Sequence, residues 1–217
     1  MDAHLLYTHQ TTQQPRQPSM SLAGSHSAFF YGTLMDPDVL HRVCHGPRLP
    51  NSTTSNTLTT RPALLPAHRR RRVRHADYPA VTPNPDSTVC GTLVVGLTDG
   101  DMWRLDLFEG GEYSRRPVKV RPIISGDMDN PWAEADLELG PEVEAETYIW
   151  CAPEMDLEDR EWDFAEFVAL KKVRWVGAGG ETGGEYNEVD EAVKAAKADD
   201  PTRGRGLNGS ISKALGE

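Results

Sequence analysis

The stretch Ala28–Pro37 constrains the fold most, because it places a strand, a turn and a helix start within ten residues. Three apolar residues in a row, 28–30, predict a short buried strand, which Gly32 interrupts where the backbone must turn sharply. Asp36 is a suitable N-cap, and Pro37 suits the first helical position. Such a turn leaves backbone N–H groups without partners, and an anion or a polarised carbonyl can accept them. We therefore predict a ligand-binding loop.

The length of 217 residues, with 38% hydrophobic and 26% charged residues, is enough for one core of ordinary domain size. Residues 1–27 are rich in Gln, Thr, Ser and His and predict a disordered leader. Residues 177–217 begin with Gly-Ala-Gly-Gly and carry mixed charge, which predicts a flexible tail with only transient helix around its Ala-rich piece. A single domain is expected over 28–176.

The net charge of -10 argues against general binding to nucleic acid or to anionic membranes, because both would repel the protein at long range. No run approaches the roughly 18 apolar residues of a membrane span, and the N-terminus lacks a signal-peptide pattern. Cys44, Cys90 and Cys151 are an odd number at wide spacing, which is typical of reduced thiols. We expect a soluble cytoplasmic protein, with nuclear location as an alternative, whose partners are small molecules or other proteins.

The basic run Arg69–Arg74 stands out against this acidic background. It is compatible with a nuclear-localisation signal or with a patch that contacts phosphates. The acidic composition instead favours an exposed strand whose arginines meet some of the many carboxylates. No nucleic-acid partner is therefore predicted, and the arginine run is the one feature of the sequence that favours such a partner.

His41 and His45 are four residues apart on the helix predicted after Pro37, with Cys44 between them. Zinc would need further ligands, and no second His or Cys cluster exists in the sequence, so no metal site is predicted. The apolar neighbours of Cys44 indicate a packed, protonated thiol. No cofactor motif is present.

The segment 89–97 is nearly all apolar or β-branched, with glycines that suit a curled, barrel-like sheet. Asp99 is predicted to cap a helix that ends at two glycines, 110 and 111, before a strand over 113–124. Further on, a helix over 159–176 is predicted to close the open side of the barrel with Phe164, Phe167, Val168 and Trp175 on one face.

Glu109 lies at the end of the helix that precedes the two glycines. The helix macrodipole and partial burial both raise the pKa of a carboxyl group at this position, and an acid tuned toward neutrality is a good general base. The competing interpretation is a solvated side chain beside a helix-ending glycine. Glu112 is the second candidate base, ranked lower because it follows two flexible glycines.

Five short segments occur in a characteristic order, and two further ones, Tyr148-Ile149-Trp150 and Glu161-Trp162-Asp163-Phe164, lie downstream. The five are Phe30-Tyr31-Gly32-Thr33-Leu34, Tyr78-Pro79-Ala80, Val89-Cys90-Gly91-Thr92-Leu93, Leu105-Asp106-Leu107-Phe108-Glu109 and Glu112-Tyr113-Ser114-Arg115. Together they resemble the γ-glutamylcyclotransferase-like family, and most closely its plant and fungal branch of avirulence-induced proteins. The resemblance covers roughly Phe29 to Val176.

The resemblance implies an α+β fold, a small mixed β-barrel flanked by helices with the ligand at the barrel mouth. It implies that the loop Tyr31, Gly32, Thr33 and Leu34 holds the substrate through backbone groups and that Glu109 is the catalytic base. The reaction it implies is cyclisation of a γ-glutamyl amine or dipeptide to 5-oxoproline and a free amine. Because nucleophile and carbonyl belong to one molecule, this chemistry calls for no metal and no cofactor.

Tyr113 and Arg115 are secondary candidates. Tyr31 and Tyr113 either contact substrate or only pack, with their hydroxyl groups paired at the rim. Arg115 either pairs with a carboxylate in the barrel wall or meets the carboxylate of the substrate. The alternative function is that of a non-catalytic ligand-binding or signalling protein that uses the same barrel and pocket.

Overall fold

Six strands and five helices are present in the computed structural model, which describes residues 25–46, 58–125, 137–176 and 183–199. The strands are β1 His26–Phe30, β2 Thr59–Arg72, β3 Pro79–Leu97, β4 Tyr113–Ser125, β5 Glu138–Leu139 and β6 Val143–Trp150. The helices are α1 Pro37–His45, α2 Asp99–Glu109, α3 Phe164–Leu170, α4 Lys172–Val176 and α5 Gly183–Asp199. None of the described helices is both long and apolar enough to cross a bilayer.

The strands form one mixed sheet that closes on itself. The order is β2-β3-β1-β6-β4-β5, and an additional pairing between β2 and β4 joins the two sides into a ring of five strands. The pairing of β1 with β6 is parallel, and the other pairings are antiparallel. A mixed, curled sheet with flanking helices is the fold class predicted from the sequence, and the structure confirms it.

The core has two main parts, one inside the ring and one between the ring and the helices. Side chains alternate along a strand, so β1 contributes Phe29 to the inner part and Phe30 to the outer part. The turn after β1 continues this division, because Tyr31 belongs to the inner part and Leu34 to the outer one. The turn therefore lies where both parts of the core meet, and both hold it in place.

The start of α1 follows the prediction. The Asp36 carboxylate accepts hydrogen bonds from the backbone N–H groups of Asp38 at 3.0 Å and Val39 at 3.4 Å, and Pro37 is the first helical residue. Between β1 and this cap, Thr33–Met35 form a single 3₁₀ turn. The polypeptide thus passes from strand to helix through a short, tightly hydrogen-bonded connection.

Helix α2 begins one residue earlier than predicted, because the cap is Thr98 and the prediction of Asp99 was wrong. Thr98 Oγ1 accepts the N–H of Asp101 at 3.2 Å, and Asp101 Oδ2 accepts the N–H of Thr98 at 2.9 Å. This reciprocal pair is a capping box. At the other end Gly110 adopts a positive φ of 66°, which favours glycine, and its N–H bonds to Asp106 O, so Glu109 is the last residue of α2.

The packed unit extends beyond the predicted domain boundaries at both ends. Strand β1 starts at His26, inside the predicted leader 1–27. Helix α5 lies in the predicted tail 177–217, which is corrected for residues 183–199: Tyr186 and Val189 are buried, and Arg42 pairs with Asp190 through two bonds of 2.8 and 3.1 Å. The rest of the leader and of the tail lies outside the described residues.

The single helix predicted over 159–176 is two short helices, α3 and α4, separated at Lys171. Two of the predicted core side chains, Phe167 and Trp175, are buried, whereas Val168 is 38% exposed. The Nζ atom of Lys171 lies 2.9 Å from Asp77 Oδ1 and joins the break to the loop before β3.

The arginine run lies on and just after β2 and meets carboxylates of the segment that follows β6. Arg69 pairs with Asp159 at 2.7 Å, Arg70 with Glu161 at 2.9 Å, and Arg71 with Glu154 at 2.9 Å. The predicted pairing of these arginines with acidic side chains is confirmed. The run joins β2 to the connection that leads into α3.

Candidate active site

A cleft of about 190 Å³ opens between the turn after β1 and the end of α2. It contains the turn predicted to bind a ligand and both candidate acids, Glu109 and Glu112. Aromatic rings form most of the rest of its wall. The lining residues are Phe29, Phe30, Tyr31, Gly32, Thr33, Leu34, Tyr78, Pro79, Phe108, Glu109, Gly110, Gly111, Glu112, Tyr113, Tyr148 and Trp175.

The turn supplies backbone donors to this cleft. The carbonyl groups of Gly32 and Thr33 accept the N–H groups of Met35 and Asp36 at 3.0 and 3.1 Å, which closes the 3₁₀ turn. No described residue accepts a hydrogen bond from the N–H groups of Gly32, Thr33 or Leu34. These three consecutive N–H groups therefore have no acceptor among the described residues, as expected at the start of a helical turn.

Gly32 is required by the closeness of β3. A Cβ atom at this position would lie 2.8 Å from Pro79 Cγ and 2.9 Å from Pro79 Cδ, which is closer than carbon atoms approach one another. The φ angle of Gly32 is -127°, so the constraint comes from this contact rather than from left-handed backbone. The glycine lets the turn pack directly on the start of β3, beside the cleft.

Glu109 is the half-buried acid of the cleft. Burial, and secondly the negative charge of Asp106, raise the pKa of its carboxyl group from 4.5 to about 8. No described residue forms an ion pair or a hydrogen bond with this carboxyl group, so nothing within that part of the chain stabilises its charged form. A carboxyl group in this state gives and takes a proton close to neutral pH.

Three phenol groups surround Glu109. Tyr31 donates to Tyr148 O at 2.5 Å, Tyr113 donates to Pro79 O at 2.9 Å, and Tyr148 donates to Asp106 Oδ1 at 2.9 Å. Burial is the main cause, and the charge of Glu109 a further one, of a pKa raised above the ordinary value in all three phenols. Each phenol is therefore neutral with its proton engaged, and its oxygen remains able to accept a hydrogen bond.

The packing interpretation of Tyr31 and Tyr113 agrees with the structure, and contact of these residues with substrate stays a prediction. Their hydroxyl groups are paired with backbone carbonyls, as the packing interpretation expects, and Tyr113 also packs edge-on against Trp150 with ring centroids 5.2 Å apart. At the same time both rings line the cleft. Packing and these hydrogen bonds hold the two rings in the wall of the cleft that also contains Glu109.

Arg115 pairs with carboxylates of the sheet and of α2. Its Nε atom lies 2.9 Å from Asp106 Oδ1, and its Nη1 atom lies 2.7 Å from Glu146 Oε1. It does not line the cleft, and among the described residues that do, none has a positively charged side chain. A carboxylate group in the cleft would therefore depend on backbone donors such as those of the turn.

Glu112 lines the same cleft from an exposed position. The hydroxyl group of Tyr78 lies 3.4 Å from its Oε2 atom, which is a weak hydrogen bond at most. The structure thus separates the two acids by environment: Glu109 is enclosed among aromatic rings, and Glu112 is in contact with water. This difference supports the higher rank that sequence reasoning gives to Glu109.

Sequence reasoning missed Asp106 and Tyr148 as members of the site, and it placed Trp175 in the core alone. Asp106 precedes Glu109 by three residues on α2, a spacing that puts both on one helix face. That spacing was a signal in the sequence. Tyr148 and Trp175 come from a strand and a helix distant in sequence, and only the folded chain brings them to the cleft.

A cleft that combines an acid of raised pKa with unused backbone donors defines a small-molecule site suited to proton transfer. Comparison with known proteins identifies the family to which this chain belongs. The model of the family described as "Gamma-glutamyl cyclotransferase, AIG2-like" matches residues 28–164, and the chain belongs to this family.

Similar proteins are known from Arabidopsis thaliana. Protein AIG2 C is 26% identical over 70% of this chain and 78% of that protein, and AIG2-like protein D is 30% identical over 67% and 80%. A solution structure from the same plant is 26% identical with a TM-score of 0.47, covering 82% of this chain and 98% of that one. An AIG2-like protein from Mus musculus is 19% identical with a TM-score of 0.43, covering 66% and 90%.

Proposed function

We propose that this protein is a γ-glutamylcyclotransferase, which cyclises a γ-glutamyl amine or dipeptide to 5-oxoproline and releases the free amine. The observation that carries the proposal is that one cleft is lined both by Glu109, whose pKa is raised, and by Gly32, Thr33 and Leu34, whose N–H groups have no acceptor among the described residues. Membership of the family supports it. Glu109 is the general acid and base of the proposed reaction.

The substrate has three polar groups that the cleft must hold, and each has a counterpart there. The N–H groups of the turn suit the α-carboxylate and the γ-carbonyl oxygen, since the described lining offers no positive side chain. The α-ammonium group is a triple donor, and it suits the Glu109 carboxylate together with the acceptor oxygens of Tyr31 and Tyr113. In this orientation the α-nitrogen of the substrate lies close to the γ-carbonyl carbon of the same molecule.

The reaction then needs only proton transfers around Glu109. Its carboxylate takes one proton from the α-ammonium group, and the neutral nitrogen attacks the γ-carbonyl carbon to close a five-membered ring. The carbonyl oxygen becomes negative and is stabilised by the N–H donors of the turn. The protonated Glu109 gives its proton to the leaving nitrogen as the C–N bond breaks, and the ring nitrogen loses its second proton to the released amine.

The raised pKa of Glu109 fits this task. Burial raises the pKa of Glu109 to about 8, which brings it closer to the pKa of an α-ammonium group and lowers the free-energy cost of moving the proton between them. An acid with the ordinary pKa of 4.5 would hold the abstracted proton too weakly to accept it. Intramolecular attack supplies several further kcal/mol, and each preorganised donor contributes about 3 kcal/mol where this has been measured in other enzymes.

Release of 5-oxoproline from synthetic γ-glutamyl amines and γ-glutamyl dipeptides tests the proposal. Wild-type protein should release it, and Glu109→Gln should lose nearly all turnover while its circular dichroism spectrum is unchanged. Glu112→Gln is the matched control, because it removes the other acid of the cleft and should retain most of the activity. Equal loss in both variants would contradict the assignment of the base.

The alternative of a non-catalytic binding protein makes a different prediction for the same samples. In that case calorimetry should detect binding of the γ-glutamyl compounds, and none of them should be converted by the wild-type protein at any pH. If Glu109→Gln still converts substrate, the protein is an enzyme, but a group other than Glu109 transfers the proton.

A further inference from the structure

One wall of the cleft comes from outside the region that matches the family model. The match ends at residue 164, and Trp175 follows on α4. Trp175 is 3% exposed and lines the cleft. Its ring meets that of Phe108 edge to face, with centroids 6.2 Å apart, and Phe108 lines the cleft as well. These two rings, with Leu34, form an apolar wall.

This wall is held in place by contacts with two other helices, α1 and α5. Lys172 Nζ lies 2.7 Å from Asp36 Oδ2, so an ion pair joins α4 to the cap of α1 directly after the substrate turn. Behind the wall, Tyr186 of α5 stacks on Phe108 with centroids 5.8 Å apart and meets Trp175 edge-on at 6.5 Å. The two rings therefore need little reordering when a ligand arrives.

The apolar wall is not suited to bind the reacting end of a γ-glutamyl substrate. The ammonium, carboxylate and carbonyl groups of that end need polar partners, and placing them against apolar rings would cost the free energy of their desolvation. The γ-glutamyl group itself has only two methylene groups to offer. The apolar surface is available to the part of the substrate that differs between conjugates, which is the leaving amine.

We propose that Trp175 and Phe108 form a subsite for the leaving amine and select γ-glutamyl conjugates whose amine carries an aromatic ring. This inference rests on the proposed function and names the substrate class for it. Stacked or edge-on aromatic contacts are favourable beyond the area they bury, so a flat ring fits this wall better than a short alkyl chain. Trp175 is a specificity-determining residue in this proposal.

The test compares γ-glutamyl-phenethylamine with γ-glutamyl-ethylamine, which share the scissile amide and an unbranched primary amine. Wild-type protein should show a kcat/KM about tenfold or more higher for the phenethyl conjugate. Trp175→Leu keeps an apolar side chain and should lower this ratio by roughly fivefold or more. Val173→Ala, on the same helix at a position that is 76% exposed, is the control and should leave the ratio unchanged.

The possible failures are distinguishable. Equal kcat/KM for the two conjugates, or a Trp175→Leu variant that loses both by the same factor, would overturn the subsite and leave the proposed function standing. If neither conjugate is converted, the proposed function fails for them, and calorimetry with the wild-type protein still tests the subsite. Equal dissociation constants for the two conjugates would then overturn it, whereas tighter binding of the phenethyl conjugate would support it.

Discussion

Replacing Glu109 with Gln should stabilise the folded protein at alkaline pH. The pKa of Glu109 is about 8 in the folded protein, and the ordinary value of 4.5 applies to the unfolded chain. Below pH 4.5 the acid is protonated in both states, and Gln resembles that neutral form. Between pH 4.5 and 8 the unfolded chain binds fewer protons than the folded protein, so the stability of the wild type falls as the pH rises.

The size of this effect follows from the two pKa values. Each pH unit between them lowers the free energy of unfolding of the wild type by about 1.4 kcal/mol relative to Glu109→Gln. Over the whole interval the difference is on the order of 5 kcal/mol. This is an upper bound, because the half-buried side chain keeps contact with the cleft and water there favours its charged form.

Urea unfolding at pH 5, 7 and 9 measures the difference. The advantage of Glu109→Gln should be small at pH 5, clear at pH 7 and greatest at pH 9. Glu112→Gln is the control for loss of one charge at an exposed position of the same cleft, and its effect should vary little with pH. A Glu109→Gln effect that is the same at all three pH values would refute the raised pKa and the mechanism that depends on it.

The pH profile of turnover should follow the ionisation of Glu109, so kcat/KM should rise about tenfold per pH unit below a midpoint near pH 8. A flat profile between pH 6 and 8 would contradict the role of Glu109 as base. Asp106→Asn removes the neighbouring charge that helps to raise the pKa of Glu109, so that midpoint should move to lower pH; movement to higher pH is the contrary result. Gly32→Ala should lower kcat/KM by roughly tenfold or more with the core still folded, because the new methyl group meets Pro79 and displaces the donor turn. Full activity of this variant would show that the position of the turn is not critical.

The parts of the fold that sequence reasoning predicted are those specified by neighbouring residues. The passage from β1 into α1 depends on Gly32, Asp36 and Pro37, and each acts within a few residues of its own position. The same holds for Glu109, whose place at a helix end follows from the glycines after it. The cap Thr98 is equally local, but the sequence offers two adjacent capping residues, Thr98 and Asp99, and the capping box with Asp101 decides between them.

The strand residues of the candidate site could not be predicted, because strands of this sheet are buried on both faces. In β6 both Ala145 and Tyr148 are buried, one inside the ring and the other beneath the helices, so a period of two does not tell which side chain faces the cleft. Helix α5 was hidden for a different reason. Among the residues of α5 whose burial is described, Tyr186 and Val189 are buried between charged neighbours. The helix also pairs with Arg42 of α1, which no pattern within the tail reveals.

The contacts of Asp106 limit how far its negative charge raises the pKa of Glu109. Its negative charge raises the proton affinity of Glu109, yet the same carboxylate accepts the Tyr148 hydroxyl group and pairs with Arg115, which also holds Glu146. Arg115 therefore limits the repulsion that Glu109 experiences when it ionises, while burial still supplies most of the increase. An arginine directed into the cleft would instead bind the Glu109 carboxylate and lower its pKa. Among the described residues that line the cleft, none has a positively charged side chain, so the carboxylate form of Glu109 has no such partner there and its pKa stays raised.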